Sequence, residues 1–316
     1  LKQLDLNYAG VRDNHLSRFT YLPALEELNL DSCLIGDWSI SHLAENNVTP
    51  NLISLDLADT DVSDFGMVHL AKFKKLKRLS LFYCNISNAG LRHLAQLTCL
   101  EALNLDSRDI GDNGLFYLQT LTNLKSLDIF SGRITDAGCS HISKIESLES
   151  LELCGGGISD QGCEKLARLE KLTVLNLSQN DRITNRGAAA LVPLSNLKAL
   201  NLSNTRVNSL ALIHFSHLMH LQSLAMYGCR GMEDSHEIDR LQKELPSLKC
   251  IRLNNGLDAD DGVVVQEEND SHSDSEYDDD SSTDSGRPFV LRRRSSILAP
   301  YVNSDSSDDD SDMEHT

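Results

Sequence analysis

Four histidines, His42, His69, His93 and His141, fall at one recurring position of a helical pattern. That spacing suggests a metal ladder, and a zinc-type ion would need several ligand atoms ~2.1 Å from one centre, with carboxylate or thiolate help. The carboxylates recur at the other end of each pattern, so the histidines read as solvated helix-face imidazoles and no metal is expected. Asp and Glu also recur in short leucine-bounded stretches, but they face neither a nucleophile with its base nor an opposed acid. The run Gly155–Gly157 lacks the Lys-Ser/Thr of a phosphate loop and reads as a tight turn. The eight cysteines form no CxxC; Cys139 and Cys163 share one place in the pattern, and Cys33 and Cys84 another. Such cysteines read as small buried hydrophobes in a reducing compartment. No catalytic residue and no cofactor are expected, and the chain reads as a non-enzyme.

What positions these residues is a repeat. Shifting the sequence by 24 residues aligns LKQLDL at Leu1, LEELNL at Leu25, LISLDL at Leu52, LKRLSL at Leu76 and LEALNL at Leu100. The series continues with LKSLDI at Leu124, LESLEL at Leu148, LTVLNL at Leu172, LKALNL at Leu197 and LQSLAM at Leu221, and a half-unit LKCIRL starts at Leu248. Intervals are 24 residues except 27 after Leu25, 25 after Leu172 and 27 after Leu221. Each unit opens with the two-residue alternation of a strand and continues as I-[ST]-D-x-G-L-x-x-L-x-x-L, which has helical spacing. Ser or Thr before Asp, as in Ser63-Asp64, Thr135-Asp136 and Ser159-Asp160, offers an acceptor to the free amides of a helix start. One unit cannot bury its own leucines; stacked units share a core. The expected fold class is α/β: a horseshoe solenoid with a parallel sheet on the concave side and helices on the convex side.

This architecture selects the residues that a partner could reach. Third, fifth and seventh places of each strand segment should face the concave side, in ladders spaced ~4.8 Å per strand. The fifth-place ladder runs Asp5, Asn29, Asp56, Ser80, Asn104, Asp128, Glu152, Asn176, Asn201, polar and acidic, as a solvated sheet face would be. In the seventh-place ladder Phe82 and Phe130 stand out, with Tyr83 beside them and Arg78 a cation on its strand. Aromatics and Arg are favoured interface anchors. The candidate partner-binding set is therefore Arg78, Phe82, Tyr83, Asp128, Phe130 and Glu152, suited to a basic or mixed-charge peptide; packing of the rings against turn residues is the competing account.

Charge divides the chain. Residues 255–316 hold 18 Asp or Glu against four Arg, a net of −14 out of −18 overall. A near-neutral body with an acidic end does not suit nucleic acid or an anionic membrane surface, and no apolar run is long enough for a spanning helix. Residues 1–253 are assigned to the solenoid, with a capping segment at 221–253 that includes an amphipathic helix over Glu233–Leu245. Residues 254–316 read as a disordered acidic Ser/Asp-rich tail, too charged to repay ordering. Within it Ser273 and Ser307 suit an acid-directed kinase, and Ser295 and Ser296 follow Arg292–Arg294 as in a basic-directed site. Val263–Val265 followed by Gln266-Glu267-Glu268 is similar to a SUMO-interacting strand. Five N-x-[ST] triplets occur, without any sign of a secretory context, so cytoplasmic or nuclear residence and a monomeric state are expected.

The repeated LxxLxL and I-[ST]-D-x-G-L segments resemble the leucine-rich-repeat family, in its ribonuclease-inhibitor-like, cysteine-containing subset. The stretch LDIFSGRITDAGC (Leu127–Cys139), with LELCGGGISDQG and LNLSQNDRITNRG after it, resembles plant F-box/leucine-rich-repeat proteins. The resemblance implies a module that binds a protein, and by analogy the substrate-selecting arm of an SCF-type ubiquitin ligase. An F-box would lie upstream of Leu1, where the sequence starts in mid-pattern, and would join the ligase core from there. The alternative is a free-standing scaffold or immune-type repeat protein.

Overall fold

The computed structural model describes residues 1–105, 109–130, 133–232 and 236–253. All of these belong to one compact unit, Leu1–Asp260. The LxxLxL segments form strands β1 (Gln3–Asp5), β2 (Glu27–Asn29), β3 (Ser54–Asp56), β4 (Arg78–Ser80), β5 (Ala102–Leu105) and β6 (Ser126–Phe130). They continue as β7 (Ser150–Cys154), β8 (Val174–Asn176), β9 (Ala199–Asn201), β10 (Ser223–Ala225) and β11 (Cys250–Arg252). All eleven pair in parallel, in sequence order, as one open sheet. Register follows the repeat: Leu79 pairs with Leu103, and Leu103 with Leu127. Fourth- and sixth-place leucines such as Leu127, Leu151 and Leu177 are buried in one continuous core. Each contributes about 2 kcal/mol of apolar burial.

The connecting helices are shorter than the leucine spacing predicts. Asp136–Ile142 is helical, whereas Ile145, which continues the pattern, lies buried in the turn beyond. Length accounts for the difference. A three-residue strand spans about 10 Å and so does a seven-residue helix, so the chain returns to the next strand without a longer one. Two segments tighten to 3-10 geometry, Phe116–Thr120 and Ser209–Ala211. In the expected capping segment the helix runs His236–Glu244 and buries Leu241.

Three further ladders recur among the described units. Fifth-place side chains accept from the amide two residues on, as Asn29 does from Asp31, Asp56 from Ala58 and Asn201 from Ser203. They therefore end the strands as well as solvating them. The described eighth-place residues adopt positive φ, including Ser32 at 55°, Tyr83 at 60°, Gln179 at 63° and Gly155 at 73°. Ninth-place donors fill the turn. Cys84 Sγ reaches Leu57 O at 3.0 Å, Thr60 Oγ1 the same carbonyl at 2.7 Å, and Asn180 Nδ2 Leu153 O at 2.8 Å. All eight cysteines are free thiols. Burial raises Cys84 to about 11 and Cys139 to about 12, and pushes Cys163 up as well, so these thiols stay protonated. No helix among the described residues is long and apolar enough to cross a membrane.

Candidate functional site

The helix starts are joined by a second device, which the spacing alone does not reveal. Asp37 accepts from the amide of Ser63 at 2.8 Å, its hydroxyl at 2.6 Å and the amide of Gly66 at 2.9 Å, all in the following unit. Asp136 does the same to Ser159, and Asp160 to Thr184 and Gly187. The glycine of the I-[ST]-D-x-G segment leaves room for that carboxylate: a β-carbon at Gly66 would sit 2.5 Å from Asp37 Oδ1. At two helix starts whose following cap has no hydroxyl the acid is replaced by an amide, although Asp13 stays an acid before the Gly36 cap. Asn88 accepts from Gly111 N, and Asn185 forms a reciprocal amide pair with Asn208. These residues, which carry the chain's most regular acidic pattern, are structural.

The histidine ladder is likewise engaged across neighbouring units. His42 Nε2 lies 3.0 Å from Phe19 O with its ring stacked on Trp38, His69 pairs with Glu45 at 2.8 Å, and His141 Nδ1 lies 2.6 Å from Gln119 Nε2. The pKa of His93 is lowered by burial and by Arg92.

Of the candidate partner-binding residues, the structure brings some together and separates others. Asp128 and Glu152 are register partners on β6 and β7, both half-buried on the face away from the helices. Glu152 accepts from Asn176 Nδ2 at 3.1 Å. Phe130, two residues beyond Asp128, is 46% exposed, and its Cζ would lie 3.4 Å from a β-carbon at Gly155. Phe82 is half-buried against Tyr83, with ring centroids 4.9 Å apart, and Tyr83 is exposed. Both sit in the turn after β4, two strands or about 10 Å from the end of β6. Arg78 reaches the other way, donating to Ser54 Oγ and pairing with Glu27 on β2 at 2.7 Å. Its charge is thus shared with an acid 51 residues earlier. The positions Ser273, Ser295, Ser296 and Ser307, and the stretch 263–268, lie outside the described residues.

Three features were missed from the sequence. Asn104 Oδ1 and Ser150 Oγ, which flank Asp128 and Glu152 on that face, are buried with no hydrogen-bond partner among the described residues. Asp56 has a raised pKa, through burial and then the like charges of Asp31 and Asp5. On the helix side, Trp38 and Phe65 occupy the same place in adjacent units and are 50% and 79% exposed. Only the last had a legible signal: two aromatics directly after the helix-start Asp, where units such as those at Asp13, Asp136 and Asp160 carry Asn, Ala and Gln.

Comparison with known proteins agrees with this architecture. A family model described as leucine rich repeat matches residues 146–207, and a second matches 74–95, 96–118 and 120–143. No curated protein matches the chain. Among solved structures, an internalin (inlF) of Listeria monocytogenes is similar at 20% identity and TM-score 0.51, over 76% of this chain and 88% of that one. Internalin C2 of the same organism aligns at 21% identity and TM-score 0.43, over 77% and 84%. The first likeness is one of fold. With the eleven-strand ladder, the leucine core and the matched repeats all in place, the chain belongs to the leucine-rich-repeat superfamily.

Proposed function

We propose that the chain is a protein-recognition module whose docking surface is the sheet face away from the helices, the concave side of the expected solenoid, centred on β4–β7. The observation that carries this is local. On those four strands and the turns after them lie an exposed Phe130, the Phe82–Tyr83 pair, the acids Asp128 and Glu152, and Asn104 Oδ1 and Ser150 Oγ, which have no partner among the described residues. Aromatic area supplies desolvation, and unfilled acceptors and donors supply direction. A partner segment of basic or mixed charge fits this surface. Arg78 contributes at its edge through a charge already balanced by Glu27.

A finer reading, the substrate-selecting arm of an SCF-type ubiquitin ligase, draws its support from the resemblance of Leu127–Cys139 and the units after it; a free-standing scaffold is the other role for the same surface. The test is site-specific photocrosslinking from positions 83 and 130 in cells, followed by binding of the captured partner to wild type and to Phe82→Ala/Phe130→Ala. The double variant is expected to weaken binding by about tenfold or more while keeping its melting temperature. Equal binding by wild type and variant refutes the surface. A ubiquitin-ligase core subunit co-purifying with the partner supports the ligase role, and its absence supports the scaffold.

A further inference from the structure

The unit that begins at Leu25 is three residues longer than its usual 24. Its helix, Asp37–Glu45, is correspondingly long, and Asn47 turns the chain with φ 52° before Val48 and Thr49. This irregularity opens a pocket of about 130 Å³ between the end of that helix and the turn that follows the next one. Thr49 lines it and is 1% exposed, and its Oγ1 has no hydrogen-bond partner among the described residues. Three lysines border the same pocket, Lys72, Lys74 and Lys75. Lys72 is paired with Glu45, whereas Lys74 donates only to Gln96 Oε1 at 3.0 Å and Lys75 to Asn51 Oδ1. Neither Lys74 nor Lys75 has a carboxylate within ion-pair distance among the described residues.

A buried hydroxyl without a partner is costly to keep, and here it lines the same pocket as two lysines whose ammonium groups donate to neutral amides. We propose that this pocket binds a tetrahedral dianion of the phosphate class. Thr49 donates its hydroxyl, while Lys74 and Lys75 supply charge-assisted bonds. Glu45 is offset by Lys72, so the local balance stays positive. The volume admits several waters, hence one such oxyanion. This site lies outside the proposed partner-binding surface and does not depend on it.

Calorimetry and thermal unfolding of the full chain at low ionic strength test the assignment, with inorganic phosphate and O-phosphoserine as probes and chloride at matched ionic strength as reference. Saturable binding of phosphate is expected, with a raised melting temperature. Lys74→Met/Lys75→Met should weaken it by about tenfold. Thr49→Val should weaken it too, yet leave the ligand-free protein at least as stable as wild type, because the unpaired hydroxyl is gone. O-phosphoserine binding alongside phosphate marks a pocket open to an esterified phosphate; phosphate binding alone marks one for the free anion. The proposal is overturned if phosphate does no more than chloride, or if both variants bind phosphate as wild type does.

Discussion

At the scale of single residues, one side chain can act as both cap and liability. Asp56 ends β3 by accepting from Ala58 N at 3.0 Å, as Asn29 and Asn201 do in their units. Unlike them it is charged, and in its half-buried place it feels the like charges of Asp31 and Asp5. Its raised pKa means that the folded protein holds the proton more tightly than the unfolded chain. The charged form therefore weakens the fold at neutral pH, and the deficit shrinks as pH falls through the raised value. Asp56→Asn keeps the accepting oxygen and removes the charge. It is expected to gain about 0.5–1 kcal/mol at neutral pH, a difference that fades once Asp56 is protonated. Urea unfolding at neutral and acidic pH measures both limbs; a variant less stable at neutral pH would show that the carboxylate has a favourable partner instead. The fifth-place ladder was plain in the sequence, but its capping role was not, because the solvation account already explained its polarity.

At the scale of elements, the helix starts show how much of the fold was legible and where legibility stopped. Ser63, Thr135 and Ser159 cap their helices as the Ser/Thr-Asp pairs imply, accepting from Phe65, Ala137 and Gln161. The strands and their leucine register were equally readable, since period two and period 24 are written in neighbouring letters. The Asp after each cap was not, because its partners sit in the next unit, and only folded geometry shows that one carboxylate serves two or three donors there. The same limit hid the pairing of Arg78 with Glu27 and the hydroxyl of Thr49. The Asp–Gly fit carries a sharp consequence. At Gly114 a β-carbon would meet Asn88 Oδ1 at 2.5 Å, and at Gly187 it would meet Asp160 Oδ1 at the same distance. Gly187→Ala is expected to cost about 2–3 kcal/mol, from overpacking and a displaced carboxylate, despite the higher helix propensity of Ala. Adding Asp160→Ala should make the two losses less than additive, since the clash disappears with the carboxylate. Additive losses in a double-mutant cycle by chemical denaturation would remove steric exclusion as the reason for this glycine.

At the scale of the whole repeat unit array, each leucine layer is supported by the layers on either side, and its contribution depends on having both. Leu127 and Leu175 are buried between flanking strands, at 0% and 1% exposure. Leu4, on β1, and Leu6, just after it, are only half-buried. In a nearest-neighbour stack, removal of a fully buried leucine opens a cavity bounded by two interfaces, whereas removal of a half-buried one gives up less apolar burial. Leu127→Ala is therefore expected to cost about 3–4 kcal/mol and Leu4→Ala about 1 kcal/mol or less. The difference should also appear in cooperativity. If β1 and its helix open separately from the interior, amides in the first unit exchange with solvent well before those of β6–β8, and Leu4→Ala speeds the former without touching the latter. Leu127→Ala, set between well-packed neighbours, should accelerate exchange in β5 through β7 together. Uniform exchange across all strands in both variants would mean that the stack unfolds as one unit; the stability of any docking surface at β4–β7 would then be set by the ends as much as by its own leucines.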